Sequence, residues 1–530
     1  MQRHGDTKRE TMTSGLHHIT AITRKIQANV DFYLGFLGLR LVKRTGGFED
    51  AAQLHLFYGD ATASAGSLVS FLAWEDGAPG RVGHGAPSEI SFAIEASAIG
   101  FWLTRALQFG IKASGPSLEF GEPVLRLTDP DGIIVKLVGV AGLIPGKPWL
   151  APGIAAKDAI IGLRGATLLS EHPAETAGFL IRYGDFAESA SEGAVTRLAS
   201  GAGQIIDIRD VTGFWPAIPG TGMIDHIALR LPDQAGVDRQ ALSLVAEGHG
   251  NINVHDRKYF YSLYVREPAG SLIELASDGP GFDVDEPMDR LGEQLFIPEH
   301  FKLANEDITP MLPQFGLPGE PRIIYRDLPF VHRLHEPEMA DGSTLILLHG
   351  TGGNEADLLP FGRKLGPDAL LIGLRGRSTE EGVARFFRRF SELTFDQKDI
   401  RSEAEALSAF VDDAVPAYDL DRQDLTLIGY SNGANMLAAA MLLHPGIATT
   451  SVLLRPMRVL EETPDVRLPG SRVLIVSGKE DPYAEHALAL ADQLRSVGAK
   501  VSHRVIPAGH ALVAADIDVA QEWLADGAQA

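Results

Sequence analysis

Short apolar runs broken by Gly, Pro, Asp and Asn recur from residue 15 to residue 280, and most are too short to be helices. Two of them set the pattern. Met223–Leu231 reads Met-Ile-Asp-His-Ile-Ala-Leu-Arg-Leu, and Tyr259–Leu275 is rich in Tyr, Leu, Ile and Val around Glu-Pro-Ala-Gly. Both read as strands. Alternate side chains on a strand share a face, so His226 lies with Ala228 and Glu274 with Leu272. The chain opens in the same way: Leu16-His17-His18-Ile19-Thr20 echoes Ile224-Asp225-His226-Ile227.

The echo is a repeat. Gly15–Thr20 aligns with Gly162–Thr167, Pro87–Phe92 with Ile224–Leu229, and Asp129–Leu137 with Glu267–Leu275. Helical stretches follow the opening strands at Val30–Leu37, Ala98–Phe109, Ala174–Arg182 and Asp238–Ala246. The pattern predicts an α+β region of four βαβββ modules, in two halves at 15–140 and 160–280. The first-strand slots hold His18, Glu89, Gly165 and His226, and the last strands of the second and fourth modules hold Lys136 and Glu274. The first and fourth modules can therefore offer two imidazoles and a carboxylate, the donor set of non-haem Fe(II) oxygenases. The middle two offer Glu89, Gly165 and Lys136, which is no metal set.

Residues 281–320 are rich in Pro, Gly and charge and read as a tail and linker, with a domain boundary near Pro318-Gly319-Glu320. Thereafter the pattern changes. Thr344–Leu348 is a buried-type strand running through His349-Gly350 into Thr351-Gly352-Gly353-Asn354. Asp424–Gly433 is a strand ending in Gly-Tyr-Ser-Asn-Gly, with a helix from Ala434 to Leu443. Strand–turn–helix is the context a nucleophile elbow requires. Arg472–Ser477 leads to Asp481, and Val501–Ile506 leads to His510. The order Ser, Asp, His matches α/β-hydrolases and predicts a mostly parallel, doubly wound sheet over 321–530. Ser431 is the expected nucleophile, His510 the general base and Asp481 its orienter, with Glu480 and Glu485 as alternatives. The backbone N–H groups of Thr351 and Asn432 are the expected oxyanion hole. Arg375, Arg388 and Arg389 are candidates for holding a substrate carboxylate.

Composition narrows the partners. The chain has 530 residues, enough for two or three domains. Its net charge of −22 argues against nucleic acid and against an anionic membrane surface. With no cysteine, disulfides, Cys-bound zinc and a Cys nucleophile are excluded. Met1–Ser14 is polar and reads as a disordered tail, not a signal peptide. No apolar run approaches the ~20 residues of a membrane span. The expected location is cytoplasmic.

On the His-His-Ile-Thr opening, the second His and the late Glu, residues 15–315 resemble the vicinal oxygen chelate superfamily, the fold of glyoxalase I and extradiol dioxygenases. More narrowly they resemble hydroquinone-type ring-cleaving dioxygenases. The resemblance implies Fe(II) at His18, His226 and Glu274, with Mn(II) able to use the same ligands. It implies catalytic neighbours at His17, Arg257 and Tyr264, and supporting positions at Thr20 and Asp225. Asp225 is a departure, since a second His often stands there. Residues 321–530 resemble the phospholipase/carboxylesterase group, with Asn in place of Gln after the nucleophile. The expectation is a bifunctional enzyme. Its substrates would be a small aromatic diphenol with O2, and a small ester or ring-cleavage product, and it would leave room for a homo-oligomer. Two alternatives stand beside it for the first region. A glyoxalase-like isomerase would need a fourth ligand where Ser70 stands, and an aromatic-binding module would need no metal ligands.

Overall fold

The first unit is built from the β-branched and aromatic runs of its opening 280 residues. In this computed structural model, residues 15–142, 147–250, 252–320 and 328–527 are described. The expected N-terminal tail at 1–14 and the first residues of the expected second domain, 321–327, lie outside them. Two compact units are present: Met1–Lys302 with Phe315–Pro321, and Leu303–Gln314 with Arg322–Ala530. The stretch 303–314 thus clusters with the second unit.

The strands of the first unit are β1 (Leu16–Thr23), β2 (Arg40–Gly46), β3 (Leu54–Gly59), β4 (Leu68–Ala73), β5 (Ala86–Glu95), β6 (Ala113–Glu119), β7 (Glu122–Thr128) and β8 (Ile134–Val140). They continue with β9 (Gly162–Ser170), β10 (Phe186–Glu192), β11 (Val195–Ser200), β12 (Ile205–Asp210), β13 (Ile224–Leu231), β14 (Asn253–Asp256), β15 (Phe260–Arg266), β16 (Leu272–Pro280) and β17 (Leu295–Phe296). Their order along one sheet is β14-β15-β16-β13-β1-β4-β3-β2-β17, and along a second β10-β11-β12-β9-β5-β8-β7-β6. Neither sheet comes from one contiguous half of the sequence. The first joins the opening strands to β13–β16, and the second is made from the middle. Antiparallel strands join the parts: β1 on β13, with Thr20 opposite His226, and β5 on β9.

Central position decides burial. All eight residues of β1 are buried, because it has a strand on each side and both its faces are covered. A period-2 alternation of burial is therefore absent from β1.

The helices differ from expectation at their starts. The first begins at Ile26, not Val30: α1 (Ile26–Val30) continues as a wider π-type segment over Asp31–Phe36, with Leu37 N donating to Phe32 O. That segment buries Phe32, Tyr33 and Phe36. Next come α2 (Ile99–Gln108) and α3 (Pro173–Gly184), the latter opened by a proline at its first position. The helix expected from Asp238 is α4 (Gln234–Ala246), which begins four residues earlier. Asp233 caps it by accepting from Gly236 N at 2.7 Å.

Residues 281–298 wrap onto the first sheet. Lys43 on β2 is wholly buried, with Nζ 2.8 Å from Asp285 Oδ1 and 2.8 Å from Glu286 Oε2. Glu286 also accepts from the backbone of Gly292, Glu293 and Gln294. A buried lysine left unpaired is costly, so this pairing fixes the strap beside β2.

The second unit has β18 (His332–His335), β19 (Thr344–Leu348), β20 (Leu370–Leu374), β21 (Leu425–Tyr430), β22 (Thr450–Leu454), β23 (Arg472–Gly478) and β24 (Lys500–Ile506). They lie in the order β18-β20-β19-β21-β22-β23-β24, all parallel except β18. Helices α5 (Asn305–Ile308), α6 (Leu359–Leu365), α7 (Gln397–Ala417), α8 (Asn432–Leu443), α9 (Ala484–Ser496) and α10 (Ala514–Gly527) accompany them. Eleven of the twelve residues of α8 are buried, Asn432 through Leu442, so it runs through the core. The two glycines around Ser431 permit that. A Cβ on Gly433 would sit 2.2 Å from Leu348 O, and one on Gly429 2.5 Å from Ala434 N. Among the described residues no helix is long and apolar enough to cross a membrane.

Candidate functional site

Antiparallel pairing of β1 with β13 and parallel pairing of β13 with β16 bring three side chains onto one face. His18, His226 and Glu274 offer ligand atoms that all lie within 4.8 Å of one another, and all three are buried. Glu274 Oε2 is 2.9 Å from His18 Nε2 and 3.0 Å from His226 Nε2. Among the described residues neither oxygen of this fully buried carboxylate makes a well-directed hydrogen bond. Three ligand atoms converging on one buried point suit a cation. The residues present fit a divalent metal.

The surroundings orient the imidazoles. Asp225 Oδ2 lies 2.7 Å from His226 Nδ1, an arrangement that leaves Nε2 free to ligate. His17 sits behind His18, with the two Nδ1 atoms 2.9 Å apart. Burial holds His17 down at about 3, so it is neutral. Burial also lowers His18. For His226 burial acts the same way, but Asp225 and Glu274 outweigh it and raise the group to about 9. Burial works against ionising Glu274 too, yet the two imidazoles hold it well below the usual carboxylate range.

These groups open on a cavity of about 740 Å³. Phe48, Phe57, Tyr259, Phe260 and Phe296 line it with aromatic surface, and His18, Thr20, Asp225, His226, Arg257 and Tyr264 supply its polar groups. The strap contributes Phe296, Ile297 and Pro298. Tyr264 packs edge-on to His226, with centroids 5.3 Å apart, and burial raises its hydroxyl well above the ordinary range. Arg257 lies over the rings of Phe48 and Tyr264 and pairs with the exposed Glu49 at 3.0 Å. Of the expected residues of this unit, His17 and Glu274 do not line the cavity wall; both lie behind the imidazoles that do.

One lining residue escaped the sequence reading. His55 on β3 is bound to Ser70 Oγ at 3.1 Å, and Ser70 to Thr20 Oγ1 at 2.9 Å. These bonds occupy Ser70, the position at which the isomerase alternative was expected to need a carboxylate. The period-2 pattern of Leu54–Gly59 put His55 on the face of Phe57, which was the available signal.

The equivalent place in the second sheet is filled by ion pairs. Glu89 bonds Arg126 at 2.8 Å and Thr167 Oγ1 at 2.9 Å. Lys136 Nζ lies 3.3 Å from Glu89, 3.5 Å from Asp207 and 3.6 Å from Glu119. Burial opposes ionisation of Glu89, but Arg126 and Lys136 prevail and lower it to about 2.

In the second unit Ser431 has φ 51° and ψ −112°, the strained turn of a nucleophile elbow. Its Oγ is 2.9 Å from His510 Nε2, and His510 Nδ1 is 3.0 Å from Asp481 Oδ2. Asp481 is buried and accepts from Tyr483 N at 2.9 Å, whereas Glu480 and Glu485 are exposed. Gly350 approaches Ser431 closely: a Cβ on it would lie 3.6 Å from Ser431 Cβ. Gly352 and Gly353 donate within the loop network, while Thr351 N donates to no described group. Asn432 N, first in α8, has no helical partner. Asn432 Oδ1 accepts from Phe386 N at 2.7 Å. Arg375 is held by both oxygens of buried Glu355 at 2.5 and 2.7 Å, and Arg388 by Glu380 at 2.5 Å. Arg389 is partly exposed and its backbone bridges Phe395.

A two-sheet unit with a His, His, Glu centre, joined to a unit with an α/β sheet and a Ser-His-Asp relay, defines a composite enzyme. The Glyoxalase/Bleomycin resistance protein/Dioxygenase superfamily matches residues 15–137. The Bacillus subtilis protein MhqE, provisionally described as a ring-cleaving dioxygenase, is 33% identical over 306 residues, 57% of this chain and 99% of that protein. MhqD of the same organism, provisionally described as a hydrolase, is 40% identical over 185 residues, 34% of this chain and 92% of that protein. A chlorohydroquinone/hydroquinone 1,2-dioxygenase of Sphingobium indicum is 29% identical over 308 residues, 56% of this chain and 94% of that protein. The chain belongs to the ring-cleaving dioxygenase family, joined to a hydrolase of the MhqD kind.

Proposed function

We propose that the first unit opens the ring of hydroquinone or a related diphenol with O2 at an iron(II) centre, and that the second is a serine hydrolase acting on a cleavage product or a related ester. The observation that carries the first half is the convergence of buried His18, His226 and Glu274 on one point, with both imidazoles opening on an aromatic cavity. The hydroquinone substrate is supported by the Sphingobium relative. The functional division falls in 281–320.

His18, His226 and Glu274 would hold the metal. Bound there, iron(II) supplies a site for a phenolate oxygen and the one-electron chemistry that O2 requires; manganese(II) suits the same ligands. Asp225 keeps His226 Nδ1 occupied, and His17 does the same for His18. Tyr264, kept protonated by burial, donates a hydrogen bond to the oxygen where negative charge develops. Arg257 adds a positive charge on the same wall. Thr20, tied to Ser70, shapes the floor. The surrounding rings stack on the substrate and keep water out.

In the second unit His510 takes the proton of Ser431 Oγ as it attacks an acyl carbon, then returns it to the leaving group. Asp481 holds the imidazole, and Thr351 N and Asn432 N receive the oxyanion.

Two measurements test the halves separately. Anaerobically loaded protein should carry about one iron per chain, and His226→Ala should carry almost none. Ser431→Ala should lower nitrophenyl ester hydrolysis at least about a thousand-fold. Full iron retention in the first variant, or undiminished esterase in the second, would remove the corresponding half.

A further inference from the structure

The hairpin after β20 carries a buried charge that its surroundings do not satisfy. Arg385 is 3% exposed. Among the described residues its Nε has no hydrogen-bond partner. The other polar contacts of its side chain among the described residues are long: Nη1 to Glu380 O at 3.4 Å and Nη2 to Glu381 Oε2 at 3.4 Å. The Glu381 side chain is 79% exposed, and Glu380 is engaged by Arg388. Other arginines of this unit are treated differently. Arg375, Arg377 and Arg455 each meet both oxygens of a buried carboxylate, at 2.5 to 3.0 Å.

Arg385 also has a particular address. The residue before it, Ala384, accepts from Gly352 N at 2.9 Å, in the loop that carries Thr351. The residue after it, Phe386, donates to Asn432 Oδ1 at 2.7 Å, beside the nucleophile. Its own backbone exchanges two bonds with Ser378, and Gly376 N is pinned to His349 Nε2 at 3.0 Å. The backbone of Arg385 therefore lies between the two strands of chain that supply Thr351 N and Asn432 N. A buried guanidinium without a proper counter-anion is unfavourable unless an anion visits it. Its planar fork suits a carboxylate.

We infer that Arg385 forms a carboxylate-binding subsite beside Ser431, so that the second unit favours acyl substrates carrying a negative charge. This rests on the hydrolase reading of Ser431. It also agrees with the fusion, because opening a diphenol ring next to a hydroxyl with O2 leaves a carboxylate on the product.

The test compares two nitrophenyl esters of equal acyl length, the neutral butyrate and the anionic hemisuccinate, with the full chain. We expect the anionic ester to have the higher kcat/KM. Arg385→Met should lower kcat/KM for the anionic ester about ten- to a hundred-fold more than for the neutral one. Arg385→Lys should restore part of that difference. Equal losses on both esters would mean that the arginine is structural, and no preference in the unaltered protein would overturn the subsite. Calorimetry with Ser431→Ala reads binding without turnover. The hemisuccinate ester should bind more tightly than the butyrate, and Arg385→Met should abolish the gap. If neither ester is turned over, the nucleophile assignment fails, and the binding gap alone decides the subsite.

Discussion

Asp516→Asn should cripple the second unit while leaving the first untouched. Arg455 and Asp516 are both wholly buried, and they meet through two bonds of 2.7 and 3.0 Å. Arg455 also donates to Gly509 O at 2.9 Å and Ala511 O at 3.3 Å, the residues on either side of His510. Asp516 accepts from Val513 N at 2.8 Å. The asparagine keeps the shape but leaves a guanidinium without its counter-charge at zero exposure. Removing one partner of a buried pair costs about 3–5 kcal/mol. A unit of this size loses about 2–4 °C in Tm per kcal/mol, so its transition should fall by about 10 °C. The loop carrying His510 loses its anchor at the same time, and ester hydrolysis should drop about ten-fold or more at 25 °C. Scanning calorimetry of the full chain reads both units, with the first as internal reference. Replacing the pair by Arg455→Met with Asp516→Leu should recover most of the stability but little of the activity. A transition within about 2 °C of the unaltered protein, with full esterase activity, would mean that the pair neither stabilises the unit nor anchors the His510 loop.

Glu89 is lowered to about 2 from an ordinary 4.5, so its stabilisation is complete above about pH 5 and lost as pH falls towards 2. The shift corresponds to about 3 kcal/mol. The urea-midpoint gap between the unaltered protein and Glu89→Gln should therefore shrink between pH 5 and pH 3; a gap that widens would reverse the sign. Metal binding should raise the Tm of the first unit: at a hundred times Kd the gain is about 2.7 kcal/mol, or about 5–8 °C. Glu274→Gln should abolish that metal-induced rise, which calorimetry with and without added iron(II) would check.

Much of this was readable from residue order because the repeat carries the chemistry with it. The echo between His17-His18-Ile19 and Asp225-His226-Ile227 placed two histidines in equivalent strands, and Glu274 was read from the strand that closes the repeat, in the slot that Lys136 fills in the first half. The Gly-Tyr-Ser-Asn-Gly elbow and the two post-strand loops are local signals, and Ser431, His510 and Asp481 do come together. What was hidden depends on contacts far apart in sequence. Nothing near Lys43 announces that Asp285 and Glu286 will neutralise it some 240 residues later. His55 joins the cavity only through the register of β3 on β4. The choice of Asp481 over Glu480 is a matter of burial. The early start of α4 was in reach, since Asp233 is an ordinary cap, but the weak apolar pattern of its first turn concealed it.

Ring cleavage at the His18, His226, Glu274 centre consumes O2, so oxygen uptake reports it. The full chain, loaded anaerobically with iron(II), is mixed with hydroquinone, methylhydroquinone or catechol while dissolved O2 is recorded, beside His226→Ala prepared in the same way. We predict uptake with a hydroquinone and its loss in the variant. No uptake with any of the three, or uptake undiminished in His226→Ala, would contradict the account.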